Sequence, residues 1–187
     1  LDQEEVLFHW IPEWRGVRSL PQRNVLHRHT VDRHMVETAV SAAALTREVH
    51  RPDLLLFTAL FHDIGKGTEE DHSLRGEILI APLAERIGFN QRDIATIQLL
   101  IRHHLLLSAT ATRRDLDDPA TIASVVESIN DVGTLELLHA LSIADGEATG
   151  RAAWSDWKAS LVSELVRKTK LALTDNTVMQ QPELRED

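Results

Sequence analysis

Apolar residues recur at three- and four-residue spacing along almost the whole chain, and no run of β-branched alternation interrupts them. Residues three and four apart share one face of an α-helix, so this spacing commits the chain to helices that each bury a stripe. The fold class that follows is all-α, a compact multi-helix bundle. At 187 residues the chain suits one domain with a well-buried core.

Local signals divide the pattern. Residues 1–29 hold Pro12, Pro21 and two tryptophans, which predicts an arm with a short helix packed on the body. Residues 30–174 form the domain proper, and 175–187 read as a polar tail or linker. Thr30 is a good N-cap for a helix over 31–50, with Val31, His34, Thr38, Leu45 and Val49 roughly on one face. Pro52 and Asp53 open a second helix, "DLLLFTALFHD", which Gly65 and Gly67 stop. A third follows over 71–89 with a kink expected at Pro82. Asn90 with Asp93 resembles a capping box for one helix over 91–108, and Pro119 sits in the first turn of the next. The last two helices read as 134–149 and 153–173. In the latter, Trp154 and Trp157 are spaced with Leu161 and Leu165 as core residues.

Composition removes several classes of function. The formal charge of -9 repels phosphate backbones and anionic lipid, so no nucleic-acid or membrane partner is expected. Without cysteine there are no disulfides, thiolate nucleophiles or sulfur-ligated metals, and any metal must sit on His, Asp or Glu. No apolar stretch approaches the roughly 18 residues of a membrane span, and "LDQEEVLFHW" is not signal-like. A cytoplasmic protein is the expectation. The chain opens on Leu1 and closes on "LTDNTVMQQPELRED", as a piece of a larger protein would.

Ten histidines are many for this length, and several fall among leucines. His62 and Asp63 end the most hydrophobic segment. Neighbouring helical residues diverge by about 100°, so the two converge only on an atom beyond the helix end, where the glycines open the turn. A divalent cation there would neutralise the carboxylate and take the imidazole nitrogen, relieving the cost of burying both. His34 lies on the apolar face of its helix, and Asp145 shares the phase of Leu138 and Leu141. His34, His62, Asp63 and Asp145 make a hard nitrogen-and-oxygen set suited to manganese, magnesium, iron or zinc. His72 and the pair His103 and His104 offer nitrogens for a second ion, with Asp63 free to bridge. Helical phase does not choose between the pair, because leucines flank both.

This ordered set, with "HD" closing a hydrophobic helix, resembles the HD superfamily of metal-dependent phosphohydrolases. The stretches "PQRNVLHRHTVDRH", "HDIGKG", "DHSLRGE", "RHHLLLSATATRRDLDDPATI" and "LSIADGEATGRAAWSDWKASLVSELV" are similar to the uridylyl-removing group within it. His29, where that group commonly has an aromatic, and Arg151, where proline is frequent, depart from its pattern. The resemblance implies that His34, His62, Asp63 and Asp145 hold one metal and that His72 with His104 holds a second, manganese or magnesium being favoured. It implies a substrate too: a nucleotidyl group, uridylyl or adenylyl, on a tyrosine of the PII nitrogen-signalling protein. Nucleotidyltransferase and ACT domains are then expected in the parent chain. A divalent cation would acidify a water toward neutral pH for attack on phosphorus, Asp63 would orient it, and Lys66 would neutralise the phosphoryl oxygens. Two other classes fit the same residues: a phosphohydrolase of free nucleotides such as an alarmone or cyclic dinucleotide, and a regulatory module with a structural metal.

Overall fold

A computed structural model describes residues 6–22 and 28–180, and among these the regular structure is helical, with no strand. Parts of the expected arm (1–5 and 23–27) and of the expected tail (181–187) lie outside the described residues. The arm contributes α1 (Val6–Trp10) and a 3-10 turn at Pro12–Gly16, pinned by buried Phe8, Trp14 and Val17. The body comprises α2 (Val31–Ala44), α3 (Pro52–Phe61), α4 (His72–Ile87), α5 (Gln91–Arg102), α6 (Leu106–Arg113), α7 (Pro119–Ile129), α8 (Val132–Thr149) and α9 (Asp156–Gln180).

α3 and α8 carry apolar residues around most of their circumference, which a helix tolerates only at the centre of a bundle. They occupy that centre, with α2 packed on both. α4 and α5 pack on one another, and α9 lies across α6, α7 and α8. Phe61, Met35, Leu55, Ile97, Leu100 and Leu135 are among the largest fully buried side chains and knit these layers into one core.

Carboxylate and amide caps set several starts. Asp71 accepts from the Ser73 and Leu74 amides, Asn90 from Asp93, Asp118 from Ala120 and Asp131 from Thr134, each worth about 1 kcal/mol. The Asn90–Asp93 pair is reciprocal through side chains, since Asn90 Nδ2 donates to Asp93 Oδ2 at 2.9 Å. α4 continues through Pro82 to Ile87. The carbonyl that proline leaves without its helical donor belongs to Ile78, on the solvent face, where water can replace it.

Four expectations need correction. The single helix expected over 91–108 is two, with a turn at 103–105. The physical reason is local: His104 Nδ1 takes the Ile101 carbonyl at 2.7 Å, an acceptor that a continuing helix would give to Leu105. The helix expected over 31–50 ends as α2 at Ala44. Trp157 does not join the core. Trp154 does pack there, but Trp157 stands 66 % exposed, because the helix starts late, at Asp156, and Trp157 falls on the outward side of its first turn. α9 also continues to Gln180, into the stretch read as a polar tail.

Candidate metal centre

Two helices end in the same way, and both endings build the site. α3 stops at Phe61, and the ring of His62 folds back so that Nδ1 meets the Ala59 carbonyl at 2.9 Å. α5 stops at Arg102, and His104 repeats the arrangement on Ile101. A carbonyl can only accept, so each Nδ1 carries the hydrogen, and a neutral ring then offers its Nε2 lone pair. Both Nε2 atoms face Asp63: His62 at 3.4 Å from Oδ2 and His104 at 3.7 Å from Oδ1.

The remaining residues arrive from other elements. His34, from α2, places Nε2 at 3.8 Å from Asp63 Oδ2 and 2.9 Å from Asp145 Oδ1. His72, the first residue of α4, places Nε2 at 3.7 Å from Asp63 Oδ1. Asp145, from α8, stands 3.6 Å from His62 Nε2 and keeps 19 % of its side chain open to the adjoining cavity. The two oxygens of Asp63 thus face different histidine pairs: Oδ2 faces His34 and His62, and Oδ1 faces His72 and His104. His34–His62–Asp63 and Asp63–His72–His104 are each close enough to share an ion. His103, half-buried, is outside both groups.

The electrostatics are those of a cluster arranged for cations. Burial disfavours charge on His62, yet Asp63 and Asp145 outweigh it and lift the imidazole to about 10. Burial also opposes charge on the carboxylates, but neighbouring imidazoles hold both below the usual range, with Lys66 assisting Asp63. His104 is depressed to about 4 and His72 is lowered, in both cases chiefly by burial. His62 Nε2 is buried without a hydrogen-bond partner among the described residues. A buried imidazole nitrogen without a hydrogen-bond partner, flanked by two carboxylates and fixed by a backbone carbonyl behind its ring, fits a metal ligand once its proton is displaced.

Several residues that the sequence reading passed over hold this geometry. Gln22 Oε1 accepts from Lys66 Nζ at 2.6 Å, while Lys66 also meets Asp63 Oδ2 at 2.6 Å. Arg75 donates to the Gly65 and Lys66 carbonyls, tying α4 to the turn. Thr149 Oγ1 donates to the Asp145 carbonyl, and Trp154 packs on Gly146. Gly76 in mid-helix was a readable signal of close approach; the others carry no local sign.

Beside the cluster opens a cavity of about 930 Å³, reached by Asp63, His72, His104 and Asp145 and walled partly by α6 and the start of α9. That volume exceeds what ions and water need and accommodates an organic substrate.

Comparison with known proteins agrees with this geometry. The HD domain family profile matches residues 31–145, a span that starts at α2 and ends on Asp145. A protein of Streptomyces coelicolor named bifunctional uridylyltransferase/uridylyl-removing enzyme is 56 % identical over 90 % of this chain. Proteins of the same name from Mycobacterium tuberculosis and Corynebacterium glutamicum are 52 % and 33 % identical over 96 % and 94 % of it. The chain spans only about a fifth to a quarter of the length of these relatives, at 20 %, 22 % and 25 % respectively.

Proposed function

The chain belongs to the HD domain family, and from that premise we propose that it hydrolyses a nucleotidyl–tyrosine phosphodiester, releasing UMP or AMP from the PII signalling protein. The observation that carries this reading is the split carboxylate of Asp63, whose oxygens serve two histidine pairs around one cavity. The shared name of the relatives supports the uridylyl-removing substrate. No helix among the described residues is long and apolar enough to cross a membrane, in keeping with a cytoplasmic role on a protein substrate.

His34, His62, Asp63 and Asp145 would hold one divalent cation, and Asp63, His72 and His104 a second, with manganese or magnesium the ions that suit these donors. When bound, such ions supply Lewis acidity toward phosphoryl oxygens and an acidified water.

The protein's own part is positioning. The Ala59 and Ile101 carbonyls fix the rings of His62 and His104, and Lys66 fixes Asp63 Oδ2. In the overall reaction the oxygen of water joins phosphorus, the bond from phosphorus to the tyrosyl oxygen breaks, and the phenol leaves with a proton. A phenol of pKa about 10 leaves far more readily than an alkoxide, so the cavity needs no dedicated carboxylic acid. Among the described residues the carboxylates that line the cavity are Asp63, Asp145 and Glu69, and the two in the cluster, Asp63 and Asp145, are held ionised.

The test is release of UMP or AMP from nucleotidylated PII by the manganese-loaded protein, with Asp63→Asn as control. Turnover lost in the control supports the reading. Efficient hydrolysis of free alarmones or cyclic dinucleotides without action on PII would replace it with the free-nucleotide class. Metal binding with no turnover of any phosphoester would leave a regulatory module.

A further inference from the structure

The phosphoryl group of a substrate in this cavity carries negative charge and needs a cation. Lys66 is the nearest in sequence to the metal motif, yet its ammonium is already taken by Asp63 Oδ2 and Gln22 Oε1, both at 2.6 Å. Arg113 also reaches the cavity, but it ends α6, an eight-residue helix. At about 1.5 Å per residue it lies roughly 10 Å along that helix from the end that follows His104. A single phosphate cannot span both.

Lys158 differs from each. It stands in the first turn of α9 and reaches the same cavity. Its Nζ donates to the Ala153 carbonyl at 3.0 Å and lies 5.7 Å from the centre of the Trp154 ring. Among the described residues no carboxylate pairs with it. Trp154 in turn packs against Gly146, the neighbour of Asp145, which brings Lys158 to the Asp145 side of the cluster. Burial lowers the affinity of this ammonium for its proton, and Asp145 partly offsets that. A half-buried cation without a carboxylate partner gains most from an incoming anion.

Resting on the proposed reaction, the geometry points to Lys158 as the residue that binds the phosphoryl oxygens of the substrate, with Lys66 a positioning residue for Asp63. The motif "AWSDWK" then has a physical role: the small residues and Trp154 seat the turn, and the terminal lysine faces the cavity.

The test separates anion binding from turnover. Inorganic phosphate is titrated by calorimetry into the manganese-loaded full chain, and metal content is measured on the same samples. Lys158→Met should weaken phosphate binding about tenfold, the scale of one charge-assisted hydrogen bond, with metal content unchanged. Lys158→Arg should recover most of it, and Arg113→Met should change it less than about twofold. Three results would overturn the assignment: Lys158→Met within twofold of wild type, no phosphate binding by wild type, or metal lost in Lys158→Met. Release of UMP from uridylylated PII is followed in parallel. Lys158-dependent phosphate binding without UMP release would overturn the PII reading and leave the phosphate site standing.

Discussion

A Cβ placed on Gly65 would stand 2.0 Å from the carbonyl oxygen of His72, so the turn that carries Asp63 meets the first residue of α4 backbone against backbone. The same Cβ would lie 2.5 Å from the Gly76 amide nitrogen. This contact holds the two halves of the cluster at their spacing, because His62 and Asp63 precede Gly65 while His72 belongs to α4. Gly65→Ala must therefore push α4 off the turn. Overpacking of this kind costs about 1–3 kcal/mol, or very roughly 3–10 °C in melting temperature for a chain of this size. A thermal scan with elemental analysis should show both the drop and loss of metal from the Asp63–His72–His104 triad. A variant that melts like wild type with full metal content would count against the close approach.

The divided carboxylate predicts how metal is lost. Asp63→Asn should remove both equivalents, since each triad uses one of its oxygens. His72→Ala should remove one, because its Nε2 faces only Oδ1. His104→Ala should behave like His72→Ala, whereas His103→Ala should retain full occupancy. Mass spectrometry of the intact metal-loaded protein distinguishes these outcomes, and equal losses in the two tandem-histidine variants would refute the assignment.

That contrast marks where the sequence was legible and where it was not. The helical class, the Asn90 cap and the convergence of His34, His62, Asp63 and Asp145 follow from spacing and burial arguments that need no coordinates. The choice between His103 and His104 does not, because both sit among leucines and either would suit a continuous helix. What decides it is the break after Arg102, made when the His104 ring takes the Ile101 carbonyl. That bond is local, but the demand behind it is tertiary, because the ring's Nε2 faces Asp63 from another element of the fold. Gln22 and Lys158 were silent for a related reason, and Trp154 was legible as a core residue but not as the seat of Lys158. Their roles depend on which elements pack together, as Lys66 meeting Gln22 from 44 residues away illustrates.

The raised affinity of His62 for its proton has a definite sign. Its folded value of about 10 lies above the ordinary 6.5, so in metal-free protein its contribution to stability is complete below about pH 6.5 and disappears as pH rises through about 10. A cation needs the Nε2 lone pair and must displace that proton. Apparent manganese affinity should therefore rise between pH 6.5 and 9, by up to about tenfold per unit, with about one proton released. Titration calorimetry in buffers of different ionisation enthalpy measures both quantities. A pH-independent affinity with no proton release would show that His62 is not a ligand.

Gly146 supplies the last prediction, and it separates substrate binding from metal binding. A Cβ there would lie 2.4 Å from Trp154 Cε3 and 2.7 Å from Cδ2, so the indole must swing away from α8. Lys158 rests over that ring and donates to Ala153 beside it, so its ammonium must move with the turn. The Asp145 carboxylate is held by His34 from α2 and its backbone carbonyl by the Thr149 hydroxyl, contacts that do not pass through Trp154. Gly146→Ala should thus raise KM for nucleotidylated PII severalfold and weaken phosphate binding, while metal content stays full and stability falls by about 1–3 kcal/mol. Loss of metal in this variant would mean that Trp154 supports Asp145 rather than Lys158. Unchanged KM would mean that the indole packing has no part in substrate binding.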